Sequence, residues 1–315
     1  MRVSTVVLAL VTAAVAAAPA RAQSNPFLGA WNITGDAPNQ NYVYWLEVKD
    51  DAGKPSALFL NRGGHAVPVE GLKIANGELT FLLPAGRGGT QPTATFHVAG
   101  GKLTGTVGTP AIKVTGERPP QWGPCDANAK HSFGKPVVLF DGKSMDAWDV
   151  QFKDRPMDWS IADGAMTNKA HANNLISKEK FKDFQLDLEY KLSPKGNSGV
   201  YLRGRYEMQV LDDFGEKTFD RGHMSIYGRK APATNASKPN GEWQTARITI
   251  VGNCVSSTLN GQPMHDNSRI TGITGGALDA KETEPGPIMI QGDHEVVWYR
   301  KVVVTPITGG GTGTK

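Results

Sequence analysis

The sequence predicts an all-β protein built of two antiparallel units, and three observations predict it. Short runs rich in β-branched and aromatic residues recur along the chain, separated by turns in which many of the 37 glycines and 20 prolines fall. One run, Phe184-Gln-Leu-Asp-Leu-Glu-Tyr-Lys-Leu192, is apolar at every even position and polar at every odd one, so one face meets a core and the other meets water. Helical periodicity is hard to find anywhere after residue 22.

Residues 1–22 stand outside that reasoning. Met1-Arg2, an apolar and small run from Val6 to Ala18, and Ala20-Arg21-Ala22 form the three-part layout of a secretory signal peptide, which implies a periplasmic or secreted protein. The run is too short to span a bilayer comfortably, and no later stretch reaches the roughly 18 to 20 apolar residues that a spanning helix needs. The chain has 34 basic and 30 acidic side chains, and Arg2 and Arg21 lie in the leader, so the remainder carries a net charge of +2. Its basic residues are scattered among acids, which argues against nucleic acid as a partner. Cys125 and Cys254 fit no metal-ligand spacing. In an oxidising compartment one disulfide and two isolated thiols are both open.

The first block, 23–118, carries candidate strands at 29–33, 42–48, 56–61, 66–74, 78–83, 93–98, 102–107 and 112–116. Gly-Gly, Asn-Gly and Asp-Ala-Gly turns separate them, which reads as a small meander sheet or barrel. Pro119-Pro-Gln-Trp-Gly-Pro124 cannot continue a central strand, because proline removes a ladder donor, so 119–135 reads as a linker. From 136 a second unit follows, with strands at 184–192, 199–203, 206–211, 244–251, 255–259, 288–291 and 296–305 and a tight hairpin at Asn260-Gly261. Two sheets packed face to face would use this pattern well. Residues 308–315 read as a flexible glycine-rich tail. Gly86-Arg-Gly-Gly89 follows a strand but opens no helix, so it reads as a loop and not as a phosphate cradle.

The segment Tyr206-Glu-Met-Gln-Val210 alternates, so with Met208 and Val210 in the core, Glu207 and Gln209 project from the opposite face. A solvated outer face is the alternative. Arg203 stands before the Gly204-Arg205 turn, and whether it shares the face of Glu207 depends on loop geometry; Arg205, in the turn, is expected to be solvated. His294, in Gln291-Gly-Asp-His294, is a group that titrates near working pH at the mouth of a strand. Asp212 and Asp213 form an adjacent acidic pair, which leaves a divalent cation at Asp212 as an option together with Glu207 or His294. Trp148, Trp159, Trp243 and Trp298 are platforms for sugar rings or, as is commoner for tryptophan, core residues.

Several pieces occur in a telling order: Leu139-Phe-Asp-Gly-Lys-Ser-Met-Asp-Ala-Trp148, Trp159-Ser-Ile-Ala-Asp-Gly164, Asn197-Ser-Gly-Val-Tyr-Leu-Arg-Gly-Arg-Tyr-Glu-Met-Gln-Val210, Ser225-Ile-Tyr-Gly228, Gly241-Glu-Trp-Gln244, Leu259-Asn-Gly261 and Pro287-Ile-Met-Ile-Gln-Gly-Asp-His294. Over about 136–307 the chain resembles the 3-keto-disaccharide hydrolase family, whose fold is a concanavalin A-like β-sandwich. The resemblance does not cover the N-terminal block. It implies an enzyme that acts on a glycoside already oxidised at C3. The ketone acidifies the C2 hydrogen, a base removes it, the C1 substituent leaves, and water adds to the enone, for a net hydrolysis. Such a site needs a base, donors for the enolate oxygen and an acid for the leaving group. The resemblance points to His294 as base or metal ligand, to Glu207, and to Arg203 for the enolate or a sugar hydroxyl. Gln209, Tyr227, Gln291, Asn197 and His223 are the expected substrate contacts. A C3-oxidising oxidoreductase in the same compartment is the implied partner. A non-catalytic lectin-like module and an ordinary glycosidase are the competing readings.

Overall fold

The computed structural model describes residues 25–85, 91–126 and 129–309. The leader and the Gly86 to Gly89 loop lie outside the described residues. The first unit contains β1 (Gly29–Gly35), β2 (Val43–Asp51), β3 (Lys54–Asn61), β4 (Val67–Pro68), β5 (Glu70–Ala75), β6 (Glu78–Leu82), β7 (Thr93–Ala99), β8 (Lys102–Val107) and β9 (Ile112–Glu117). They pair in the order β4-β3-β2-β1-β9-β8-β7-β6-β5. Phe59 on β3 lies 5.0 Å from Phe81 on β6 although six pairings separate those strands, so the sheet rolls up on its own core. Trp31, Tyr44, Phe96 and Leu103 complete that core. The expected strand at 66–74 is broken into β4 and β5, because Pro68 has no N–H to carry the ladder onward.

The second unit is a two-sheet sandwich. It comprises β10 (Ser132–Phe133), β11 (Val137–Phe140), β12 (Trp148–Val150), β13 (Trp159–Ala162), β14 (Ala165–Asn168), β15 (Leu175–Phe181), β16 (Phe184–Leu192), β17 (Asn197–Leu202), β18 (Tyr206–Leu211), β19 (Gln244–Val251), β20 (Cys254–Leu259), β21 (Gln262–Arg269), β22 (Gly286–Ile290) and β23 (Val297–Gly309). One sheet runs β13-β14-β23-β16-β19-β20-β21, with β10 and β11 also on β23; the other runs β12-β15-β22-β17-β18. Even-numbered residues of β16 face the interior, where Leu186, Leu188 and Tyr190 meet Val200, Met208 and Ile290 of the smaller sheet. Burial of such alternating faces, at about 25 cal/mol per Å² of apolar surface, holds the sheets together.

Two expectations about connections are corrected. Thr308 and Gly309 are not tail but strand, since Ser132 pairs with Gly309. The 119–135 segment is not a free linker: β10 lies in it, and Cys125 is bonded to Cys254 on β20. The bridge spans 129 residues. Its removal by Cys125→Ser with Cys254→Ser is expected to lower unfolding stability by about 2 to 4 kcal/mol, measured by urea titration under oxidising conditions.

The units also share an interface. Val43, Trp45 and Leu60 of the first join the core of the second. Arg229 lies over the Trp45 ring at 3.9 Å, Asn32 Nδ2 donates to Glu282 Oε1 at 2.6 Å, and Gly276 N donates to Arg62 O at 2.8 Å.

Candidate active site

The site grows from the register of β17 and β18. Gly199 pairs with Gln209, and Tyr201 with Glu207. Alternation then sends Val200, Met208 and Val210 into the sandwich, and Gly199, Tyr201, Glu207 and Gln209 to the outer face. Asn197, two residues before Gly199, falls on that face as well. Tyr227 N donates to Glu207 O at 3.0 Å and Gln209 N to Ser225 O at 3.0 Å, so the following loop extends the sheet beside β18, its edge strand. Glu207 is 4% exposed.

Glu207 has room because residue 199 is glycine. A Cβ there would strike Glu207 Oε1 and come within 3.0 Å of Gln291 Oε1. Tyr201 donates its hydroxyl to Glu207 Oε2 at 2.8 Å and accepts from Gln291 Nε2 at 3.2 Å. The same hydroxyl lies 2.8 Å from Gly275 O. One hydroxyl proton cannot serve two acceptors at once. Both contacts are satisfied when Glu207 carries its own proton and donates to Tyr201 Oη, while Tyr201 donates to Gly275 O. Burial favours that state: it pushes the Glu207 carboxyl up to about 8, against the smaller opposing effects of the Tyr201 hydrogen bond and the His294 charge. Tyr201 is raised too, first by burial and then by Glu207, so it keeps its proton.

His294 sits at the rim, with its side chain 40% exposed. Its Nδ1 meets Asp293 Oδ1 at 2.8 Å, and this hydrogen bond raises its pKa against the opposing effect of burial. Glu207 and His294 each bias the other's ionisation. Tyr227 is half-buried nearby, and burial followed by the Glu207 charge raises its hydroxyl. Glu207, Gln209, Tyr227, Gln291, His294 and Asn197 are thus gathered around one place.

Arg203, His223 and Asp212 are not. Arg203 is fully buried at the far end of β17, with φ 56°. Its Nη2 donates to Gly252 O, its Nη1 to Glu282 O at 3.4 Å, and its guanidinium lies over Tyr206, so it does not face Glu207. The left-handed backbone at the turn redirects its side chain away from the outer face. His223 is 2% exposed, with Nε2 at 2.7 Å from Tyr190 Oη and Nδ1 against the Leu211 backbone, which makes it a core histidine. Asp212 Oδ2 accepts from Lys195 N at 2.8 Å and from Asn240 Nδ2 at 3.3 Å, so it ties the β17 entry loop. Among the described residues no group of three or more His, Cys, Asp or Glu side chains could hold a metal ion. Arg205 is also corrected: it is 1% exposed and paired with Asp279, Nε to Oδ1 at 2.5 Å.

Trp148 and Trp159 are buried, donating to Leu139 O and Asn173 O, whereas Trp243 and Trp298 flank Lys191 on the outside of the larger sheet. Two site residues escaped sequence reasoning. Gly199 and Tyr201 stand at i and i+2 inside the Asn197 to Val210 motif, and that spacing is the signal that could have found them.

A 3-keto-disaccharide hydrolase of Bacteroides thetaiotaomicron is 29% identical over 150 aligned residues, covering 36% of this chain and 52% of that protein. The chain therefore spans about half the length of the curated relative it matches. A solved structure from Parabacteroides distasonis ATCC 8503, provisionally described as a glycosyl hydrolase, is 31% identical, with 54% of this chain and 82% of that one covered and a TM-score of 0.47. Another from the same organism and so described is 24% identical, covers 55% of this chain and 100% of that one, and has a TM-score of 0.44. Residues 135–305 match the family of 3-keto-alpha-glucoside-1,2-lyase-like domains, and with more than half of its length in that match the chain belongs to this family.

Proposed function

We propose that the protein is an exported enzyme that cleaves 3-keto-glycosides by C2 deprotonation and elimination, followed by hydration. The observation that carries this reading is the buried Glu207, raised to about 8, beside a His294 whose proton Asp293 helps to hold. Ionised Glu207, a stronger base than an ordinary carboxylate, takes the C2 proton. The electron pair forms the C1–C2 double bond, the C1–O bond breaks, and His294 protonates the leaving oxygen. Tyr227, which keeps its proton, donates to the enolate oxygen, and Asn197, Gln209 and Gln291 orient sugar hydroxyls. Water then adds across the enone and restores the 3-keto-sugar. The Cys125–Cys254 bond supports an oxidising, exported setting, in which a C3-oxidising oxidoreductase would supply the substrate.

The test is an assay of the full chain on C3-oxidised and native disaccharides, followed by ultraviolet absorbance for the enone. Product from the oxidised sugar alone is expected. Hydrolysis of the native sugar would show an ordinary glycosidase, and binding without turnover of either would show a lectin. The pH dependence of kcat/KM adds a second check. Turnover needs Glu207 ionised, which it resists until about 8, and His294 protonated, so kcat/KM should follow a bell-shaped profile. Asp293→Asn removes the main cause that raises His294, so the limb that His294 governs should move to lower pH; a profile unmoved in both limbs would exclude His294 as the acid.

A further inference from the structure

A cleft of about 720 Å³ lies where the two units meet, and the proposed chemistry makes no use of it. The first unit supplies Asn41, Tyr42, Asn61 and Arg62 to its wall, and the second supplies Gln151, Phe152, Arg155, Ile176 and Gly276. The cleft adjoins the candidate active site by contact. A Cβ on Gly276 would lie 2.7 Å from Tyr201 Oη, and that hydroxyl is hydrogen-bonded to Glu207. Across the sheet, Ile176 pairs with Met289 and Met289 with Tyr201, two strand spacings or roughly 10 Å. Gly276 is thus shared between the wall of the cleft and the surroundings of the Tyr201–Glu207 pair.

The lining has a definite chemistry. It contains two arginines, three side-chain amides and two aromatic rings, with no carboxylate. Arg62 lies over the Tyr42 ring at 4.2 Å, and Arg155 over the Phe152 ring at 4.4 Å. Neither arginine has an ion pair among the described residues. Stacking on a ring fixes the guanidinium plane and leaves its N–H edge free to meet a carboxylate with two parallel hydrogen bonds. Arg62 is also held at φ 64°, a left-handed backbone that disfavours a non-glycine residue. The Gly276 N to Arg62 O bond at 2.8 Å maintains that conformation. The first unit is thus clamped so that Arg62 faces the cleft. Gly275 is part of the clamp, since a Cβ there would collide with Gly64 O.

We propose that this cleft is the subsite for the leaving-group half of the glycoside, and that Arg62 and Arg155 select a leaving group whose ring bears a carboxylate. The N-terminal unit is then a specificity element that completes the substrate site. The inference rests on the 3-keto-glycoside reading for its substrate, but its binding test does not.

Two 3-keto-glucosides serve as probes, one with glucuronic acid and one with a hydroxybenzoic acid as leaving group; each is compared with its neutral counterpart lacking the charge. The native chain should prefer the acidic member of at least one pair at least tenfold in kcat/KM, and the pair that shows it identifies a sugar acid or an aromatic acid. In Arg62→Ala with Arg155→Ala that preference ratio should fall at least tenfold, mainly through KM, with the thermal midpoint held because both side chains are exposed. Equal rates on acidic and neutral members of both pairs would overturn the proposal. Calorimetric titration with the unoxidised glucosyl-glucuronic acid and glucosyl-hydroxybenzoic acid separates the two hypotheses. Arginine-dependent binding of either without any 3-keto-glycoside turnover would sink the reaction and keep the cleft. Turnover with no arginine-dependent binding or preference would do the reverse.

Discussion

Glu207→Gln is expected to lower turnover of a 3-keto-glycoside at least 100-fold and, at the same time, to make the protein harder to unfold in alkali. Glutamine keeps the shape that fits over Gly199 but cannot take a proton from C2, so the loss should fall on kcat. The stability effect follows from the raised carboxyl. In the unfolded chain Glu207 ionises near the ordinary value of 4.5, whereas in the folded chain it resists ionisation until about 8. The folded state holds the extra proton between those values, so stability falls as pH rises through this window and stays lowered above it. Below about pH 4 both states are protonated and the penalty vanishes. The gap corresponds to a cost on the order of 5 kcal/mol well above pH 8, which glutamine does not incur. Thermal unfolding of the two proteins at pH 4 and pH 9 checks this: the midpoints should nearly agree at the lower pH and differ by several degrees at the higher. An unchanged rate would remove Glu207 as the base, and equal midpoints at both values would remove its burial as the cause of the raised pKa.

Arg203→Ala should act in the opposite sense, on folding and not on chemistry. The guanidinium is enclosed between Tyr206 and Trp122 and serves the carbonyls of Gly252 and Glu282, positions brought together from four places in the sequence. Truncation leaves those carbonyls without their donor and opens a cavity where the side chain packed. A loss of about 3 to 5 kcal/mol is expected in urea unfolding. The rate per folded molecule should stay within about threefold of native, because the Arg203 guanidinium bonds to Gly252 O and Glu282 O and not to Glu207. A variant that unfolds normally but has lost its rate would restore Arg203 to the reaction.

Arg203 also shows where sequence reasoning stops. From the sequence alone its face is open, because it depends on the turn that follows, and φ 56° at that residue turns the side chain out of the strand's alternation. His223 stands close before Tyr227 in sequence, yet it lies in the core because Tyr190 and the Leu211 backbone satisfy its ring nitrogens there. β16 and β18, by contrast, were legible to the residue, since apolar and polar side chains alternate along each. β12 to β14 were not legible, being three or four residues long, too short to display a period. β15 interrupts its alternation with Lys178-Glu179-Lys180, and β21 is polar along much of its length.

By itself the sequence determined that this is an all-β chain, that its second unit is a sandwich, and that Glu207 and Gln209 share a face opposed to Met208 and Val210. Those are consequences of side-chain order at period two, a local property. Only the tertiary structure decided that Cys125 meets Cys254, that Glu207 lies in the space left by Gly199, and that its carboxyl resists ionisation. It also placed Arg62 of the first unit across a cleft from Arg155 of the second. The physical reason is that desolvation and charge pairing depend on which atoms are near, and folding brings those atoms together from strands far apart in the chain.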